Sequence, residues 1–173
     1  MRKPLESEYP EFYKNYIQRI QTDNLLQVLE IQILEMHSLP GNVPEEKENY
    51  AYAPGKWTIK GVIGHLIDVE RIFAYRALRF GRGDTQTPLA GFDDFAYVTR
   101  GKFDNRTYHD LAHEFSLARE ANICLFKSFS SEELNLIGTA NNGQISVRAL
   151  IYAMAGHFDH HMEVIRERYL QFE

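Results

Sequence analysis

The stretch from Ser146 to Leu170, SVRALIYAMAGHFDHHMEVIRERYL, reads as one helix, and its faces decide how the rest of the chain is read. Counting ~100° per residue, Leu150, Ala153, Met154, Val164 and Ile165 share one side of it. His157 and His161 fall on that same side, about 40° apart around the axis and one turn apart along it. Two imidazoles inside an apolar stripe need partners, because unpaired buried polar groups are costly. A metal ion gripped by both would satisfy them; hydrogen bonds to carbonyls or tyrosines are the plainer alternative.

Three further segments have helical periodicity. One starts at Thr58, a good N-cap, and runs to about Phe80, where Gly81-Arg82-Gly83 stops it. Another begins near Thr107, which has capping-box spacing to Asp110, and ends about Phe129. The first runs from about Glu11 to Met36, breaks near Thr22-Asp23 and ends at Leu39-Pro40-Gly41. No region alternates apolar and polar residues for long, so strands are not expected. The fold class is therefore all-α, a four-helix bundle forming one domain over residues 1–173. The crossover between the second and third helices, Gly81 to Arg106, spans 26 residues with no clear helix or strand of its own. It carries Leu89, Phe92, Phe95, Tyr97 and Phe103, so it should fold over the bundle, and its length lets those two helices run parallel.

Composition narrows the partners. With 44 % apolar and 25 % charged residues in 173, the chain is too apolar for disorder and long enough to bury a core without staples. The formal charge is -5 with Lys and Arg scattered, which excludes the basic face of a nucleic-acid binder. No run approaches the ~20 apolar residues of a membrane span. The lone Cys124 cannot form an internal disulfide, and MRKPLESEYPEFYKNY has no apolar run of a secretory signal, so cytoplasm is the expectation.

His65 is the natural third ligand, flanking the stripe of Val62, Leu66, Val69, Ile72 and Phe73 on the second helix. Gly64 and Gly156 directly precede two of the three histidines. Glycine inside a helix costs about 1 kcal/mol against alanine, so the pair suggests unusually close packing or simple relief of core crowding. His109 and His113 repeat the four-residue spacing but lie roughly 160° from their helix's apolar stripe, and read as surface. His160, about 60° round from His157, could compete as a ligand; His37 sits at a frayed helix end. Around the site, Asp68 could orient a ligand or simply pair with an arginine. Arg76 could bind an anionic substrate tail or form a structural ion pair. Asp93 and Asp94 could reach an open coordination position or be solvated turn residues. Cys124 faces away from its stripe with no base beside it, and Trp57 and the phenylalanines read as packing.

The segments PGKWTIKGVIGHLIDVERIFAYR (Pro54–Arg76), TPLAGFDDFAYV (Thr87–Val98) and AGHFDHHMEVIRERY (Ala155–Tyr169) resemble, in the expected order, the DinB/YfiT-like superfamily of metal-dependent four-helix-bundle proteins. The resemblance implies a bundle with a long crossover, a homodimer, and a metal held by His65, His157 and His161. Some relatives are thiol-dependent transferases or isomerases, which implies a small-molecule substrate and a low-molecular-weight thiol as a candidate partner.

Three neutral imidazoles leave a tetrahedral ion one position short, the catalytic pattern. Zinc or nickel suits the nitrogen ligands best, and iron or manganese fits the ligand type. Such an ion would make water acidic enough to supply hydroxide near neutral pH, or hold a thiol as thiolate. The first reading is thus a Lewis-acid enzyme of hydrolysis or thiol transfer. The second is a non-catalytic metal-binding or dimerisation module, and the third a metal-free scaffold with buried histidines.

Overall fold

The computed structural model describes residues 1–39, 43–44 and 47–170. The expected first helix is broken where Thr22-Asp23 suggested. A 3-10 turn (Glu11–Tyr13) leads into the single turn α1 (Lys14–Ile17), and α2 (Leu25–Ser38) follows the break. The Pro40-Gly41 stop lies outside the described residues. The Thr58 hydroxyl accepts from the Gly61 amide and starts α3 (Ile59–Gly81).

The crossover departs from expectation. It contains a helix, α4 (Asp94–Gly101), whose cap is Asp93 accepting from the Ala96 amide, and a 3-10 turn over Phe103–Asn105. Two turns of helix are too short to display a period, and the aspartate pair reads equally well as a turn. Beyond it lies α5 (Tyr108–Lys127), capped by Thr107, and the short α6 (Ser131–Leu134), closed by a Ser130–Glu133 capping box.

A second departure is a small antiparallel hairpin, β1 (Ile137–Ala140) and β2 (Gly143–Ser146). Its two turn residues, Asn141 and Asn142, sit at φ 50° and 62°, the left-handed conformation that asparagine tolerates. Strands of four residues leave no room for alternation to show. Ser146 then caps α7 (Val147–Val164), whose last turn, Ile165–Tyr169, widens to π geometry.

Helices α2, α3, α5 and α7 form the bundle. Across α3 and α5 the partners rise together: Thr58 at the start of α3 meets Asp104 just before α5, Glu70 meets Arg119, and Arg82 reaches Ser128. Those two helices therefore run parallel, as the long crossover permits. Between α2 and α5 the order reverses, with Glu30 on Lys127 and Met36 on Tyr108.

Arg119, fully buried on α5, ties the helices together. Its guanidinium donates to both oxygens of Glu70 on α3, at 2.9 and 2.7 Å, and to Gln32 on α2 at 2.5 Å. Gln32 in turn donates to the Ala155 carbonyl at 2.9 Å and to Asp159 at 2.6 Å, both on α7.

The N-terminal segment is strapped across α7. The Tyr152 hydroxyl donates to the Met1 carbonyl at 2.7 Å, and Glu8 accepts from Ser146 at 2.9 Å and Arg148 at 3.2 Å. This strap lays α1 over α7 at Gly156, where an added Cβ would stand 1.8 Å from the Tyr16 carbonyl oxygen. Gly156 thus permits a backbone-to-backbone approach. At Gly64 the neighbour is different: the Phe103 ring, at 2.2 Å from an added Cβ, belongs to the crossover rather than to a helix of the bundle. The hairpin fixes the other part of the crossover, because the Leu89 amide donates to the Thr139 carbonyl at 2.8 Å and the Asn141 amide to the Leu89 carbonyl at 3.0 Å. No helix among the described residues is long and apolar enough to cross a membrane.

Candidate metal centre

Thr58 sets the phase of α3 and Ser146 that of α7, and the crossing of those helices brings His65 against His157 and His161. The Nε2 of His157 stands 3.1 Å from the Nε2 of His65 and 3.1 Å from the Nε2 of His161. One nitrogen from each ring lies within 4.8 Å of the others. A neutral imidazole nitrogen carries one hydrogen or one in-plane lone pair, never both. A single in-plane lone pair or N–H cannot point at two neighbours at once, so His157 Nε2 can make a well-aligned hydrogen bond to only one of them, and the other contact is left poorly satisfied. Protonation is no remedy. Burial pushes His65 down to about 4 and His161 to about 3, and holds His157 well below the usual range, so the rings are neutral near pH 7.

A cation shared by three lone pairs removes the conflict. Tetrahedral ligation with Zn–N near 2.1 Å needs N···N separations of about 3.4 Å, close to the two 3.1 Å separations at His157. The donor set thus fits a divalent metal. One feature is unusual for such a site: the buried Nδ1 of His157 has no protein hydrogen-bond partner among the described residues, where ligating histidines ordinarily have one.

The histidines open onto a cavity of about 250 Å³ that runs along α3 to Arg76. Trp57 lies tilted over His65, ring centres 4.8 Å apart, and Tyr16 meets His157 edge-on at 5.2 Å. The other candidates separate clearly. Asp94 lines the cavity, and its charge acts on His65. Asp93 does not; it is consumed as the cap of α4. His160 lies half-buried at the cavity wall, with its Nδ1 3.5 Å from the Arg19 guanidinium and outside the histidine trio. Asp68, offered above as an orienting group, is not among the cavity-lining residues; it faces Arg71 and Glu114, and burial raises its carboxyl. Its 60° offset on the helix carries it to the α5 side. Arg76 lines the end of the cavity and makes no ion pair with a described carboxylate, so the structural pairing considered for it does not form. His109, His113 and Cys124 are exposed, as expected.

Trp57, Tyr13, Tyr16, Phe12 and Phe92 line the cavity, and reading Trp57 and the phenylalanines as mere packing understated them. Trp57 directly precedes the N-cap of His65's own helix, a signal that was available. The tyrosines offered none, since they arrive only through the α1–α7 crossing.

Comparison with known proteins agrees with this architecture. The DinB superfamily model matches residues 29–165. No curated protein matches the chain. Among solved structures, YfiT from Bacillus subtilis superposes with a TM-score of 0.71 over 95 % of this chain and 92 % of that one, at 16 % identity. That protein is described as "a probable metal-dependent hydrolase with an unusual four-helix bundle topology". The family match runs from α2 to the end of α7 and takes in all three histidines: the chain belongs to the DinB superfamily.

Proposed function

We propose that the protein is a metal-dependent hydrolase of a small molecule, with His65, His157 and His161 holding one divalent ion, zinc or nickel. The observation that carries the reading is the position of His157 Nε2, 3.1 Å from two ring nitrogens of which it can satisfy only one. When bound, such an ion supplies Lewis acidity, polarising a carbonyl and lowering the pKa of water. The chain supplies the rest. Three neutral rings present lone pairs, Asp94 at the cavity wall accepts the proton of the attacking water, and Trp57 and Tyr16 shield the reacting groups from solvent. Only three protein nitrogens converge among the described residues, and a cavity adjoins them, which favours catalysis over a structural module.

Thiol transfer is the second reading. The same open position suits a low-molecular-weight thiolate, and the family resemblance points there. We further place the protein in the cytoplasm as a homodimer, its 173 residues acting as one domain; sedimentation at micromolar concentration measures the assembly.

The test is a panel of small esters and amides offered to protein loaded with zinc or nickel, with and without added thiols. Product formed without thiol supports hydrolysis; product that requires thiol transfers the reading to the second. His161→Ala should abolish bound metal and turnover together while helix content stays. Turnover that survives loss of metal refutes both readings.

A further inference from the structure

Arg76 is 3 % exposed, yet no described carboxylate pairs with it. Buried arginines are almost always paired, because a desolvated charge is costly. What holds this one is weaker. Its Nη2 donates to the Ala90 carbonyl at 2.9 Å, its guanidinium lies 5.7 Å from the Phe73 ring centre, and Tyr13 shares the cavity wall with it. All of these partners are uncharged. The guanidinium thus stays oriented by its neighbours but electrically uncompensated, on the wall of the same cavity that the histidines share.

The position along α3 sets a length. Arg76 follows His65 by eleven residues, or ~16 Å along the axis. Both side chains reach into the cavity between them, so an anion on Arg76 would lie on the order of 10–15 Å from the histidine nitrogens. The charge sets a class. Arg76 is the one cationic side chain among the described cavity-lining residues, since the histidines are neutral, and the intervening wall includes Val69, Phe73 and Phe92. One guanidinium matches one carboxylate in charge and in its planar, two-pronged geometry. A phosphate dianion would bring a second negative charge into a cavity whose wall already carries the Asp94 carboxylate.

We propose that Arg76 is the anchor for a substrate carboxylate, so that the preferred substrate is a small, elongated monoanion with an apolar middle and its reactive group at the opposite end. This rests on the hydrolase reading for what happens at the histidines, but the anchor itself can be tested without turnover.

Trp57 is the chain's only tryptophan and lines the cavity, so its fluorescence reports occupancy. Hexanoate, hexanamide and hexyl phosphate would be titrated into the zinc-loaded protein and again after chelation. The expected result, in both forms, is hexanoate binding at least tenfold tighter than hexanamide and tighter than hexyl phosphate. Arg76→Met should bring the carboxylate-to-amide ratio to within twofold of unity with metal content unchanged. Should Arg76→Met fail to fold, Arg76→Lys replaces it, and a smaller ratio than wild type is expected because the fork is lost. Equal binding of hexanoate and hexanamide by wild type, a ratio unchanged in the variants, or tighter binding of hexyl phosphate overturns the anchor. Protein that holds one equivalent of metal but fails this test leaves the hydrolase reading standing. Protein without metal that passes it does the reverse.

Discussion

Arg119 and Arg76 are both buried, and both lie against phenylalanine rings, but their surroundings differ in kind. Arg119 is closed in on every side by matched partners: two oxygens of Glu70, the amide oxygen of Gln32, and through these Asn122 and Asp159. Nothing is left over for a ligand to satisfy. Arg76 and the three histidines share a cavity and carry unmet demands, a cation without an anion and a nitrogen with one neighbour too many. The contrast separates a polar cluster that holds four helices together from one arranged for something absent from the chain.

The contrast has energetic consequences that can break it. Glu70→Ala leaves the Arg119 charge buried and unpaired, and should cost about 3–5 kcal/mol in urea unfolding. Replacing both partners, Glu70→Leu with Arg119→Met, should cost much less. Arg76→Met should cost less than half as much as Glu70→Ala, since no carboxylate is stranded. Equal losses would erase the distinction between the two arginines.

Acid sharpens the comparison from the histidine side. Burial pushes His65 down to about 4 from 6.5. In metal-free protein the unfolded chain takes up this proton below about pH 6.5, while the folded chain does so only near 4. Stability is therefore complete above pH 6.5 and falls as the pH drops toward 4, by roughly 3 kcal/mol for His65 alone. His65→Gln should flatten that part of the profile when urea midpoints are compared across pH. A metal-free profile with no dependence between pH 6.5 and 4 would contradict the burial argument.

Smaller effects distinguish the two glycines. In Gly156→Ala the new methyl meets a backbone carbonyl that cannot turn aside, so α1 must lift; about 2–3 kcal/mol is expected. In Gly64→Ala it meets the Phe103 side chain, which can rotate, and about 1 kcal/mol is expected. At the bottom of the scale, Lys127→Ala breaks a half-exposed pair with Glu30 and should shift stability by no more than about 0.5 kcal/mol.

How much of this was legible follows from the range of each interaction. Thr58, Thr107 and Ser146 cap within three residues, so the helix starts could be read directly. The histidine pair of α7 was legible because one helical period carries it, and His65 because its own stripe fixed its face. Helix α4 and the hairpin were too short for any period to register. The cavity was not legible at all. Its wall depends on Tyr152 reaching the Met1 carbonyl and on the Leu89 amide reaching Thr139, contacts between segments whose spacing in the chain says nothing of their meeting. Arg76 looked like an ordinary ion-pair residue until the absence of its acid could be seen among the described residues.

The account depends on a cation among three ring nitrogens, and elemental analysis of protein purified without a histidine tag tests this directly. After growth with ample zinc and nickel, wild type should carry about one equivalent of a divalent metal and His157→Ala almost none. Wild-type protein with less than a tenth of an equivalent, or a His157→Ala variant that retains the metal, would contradict it.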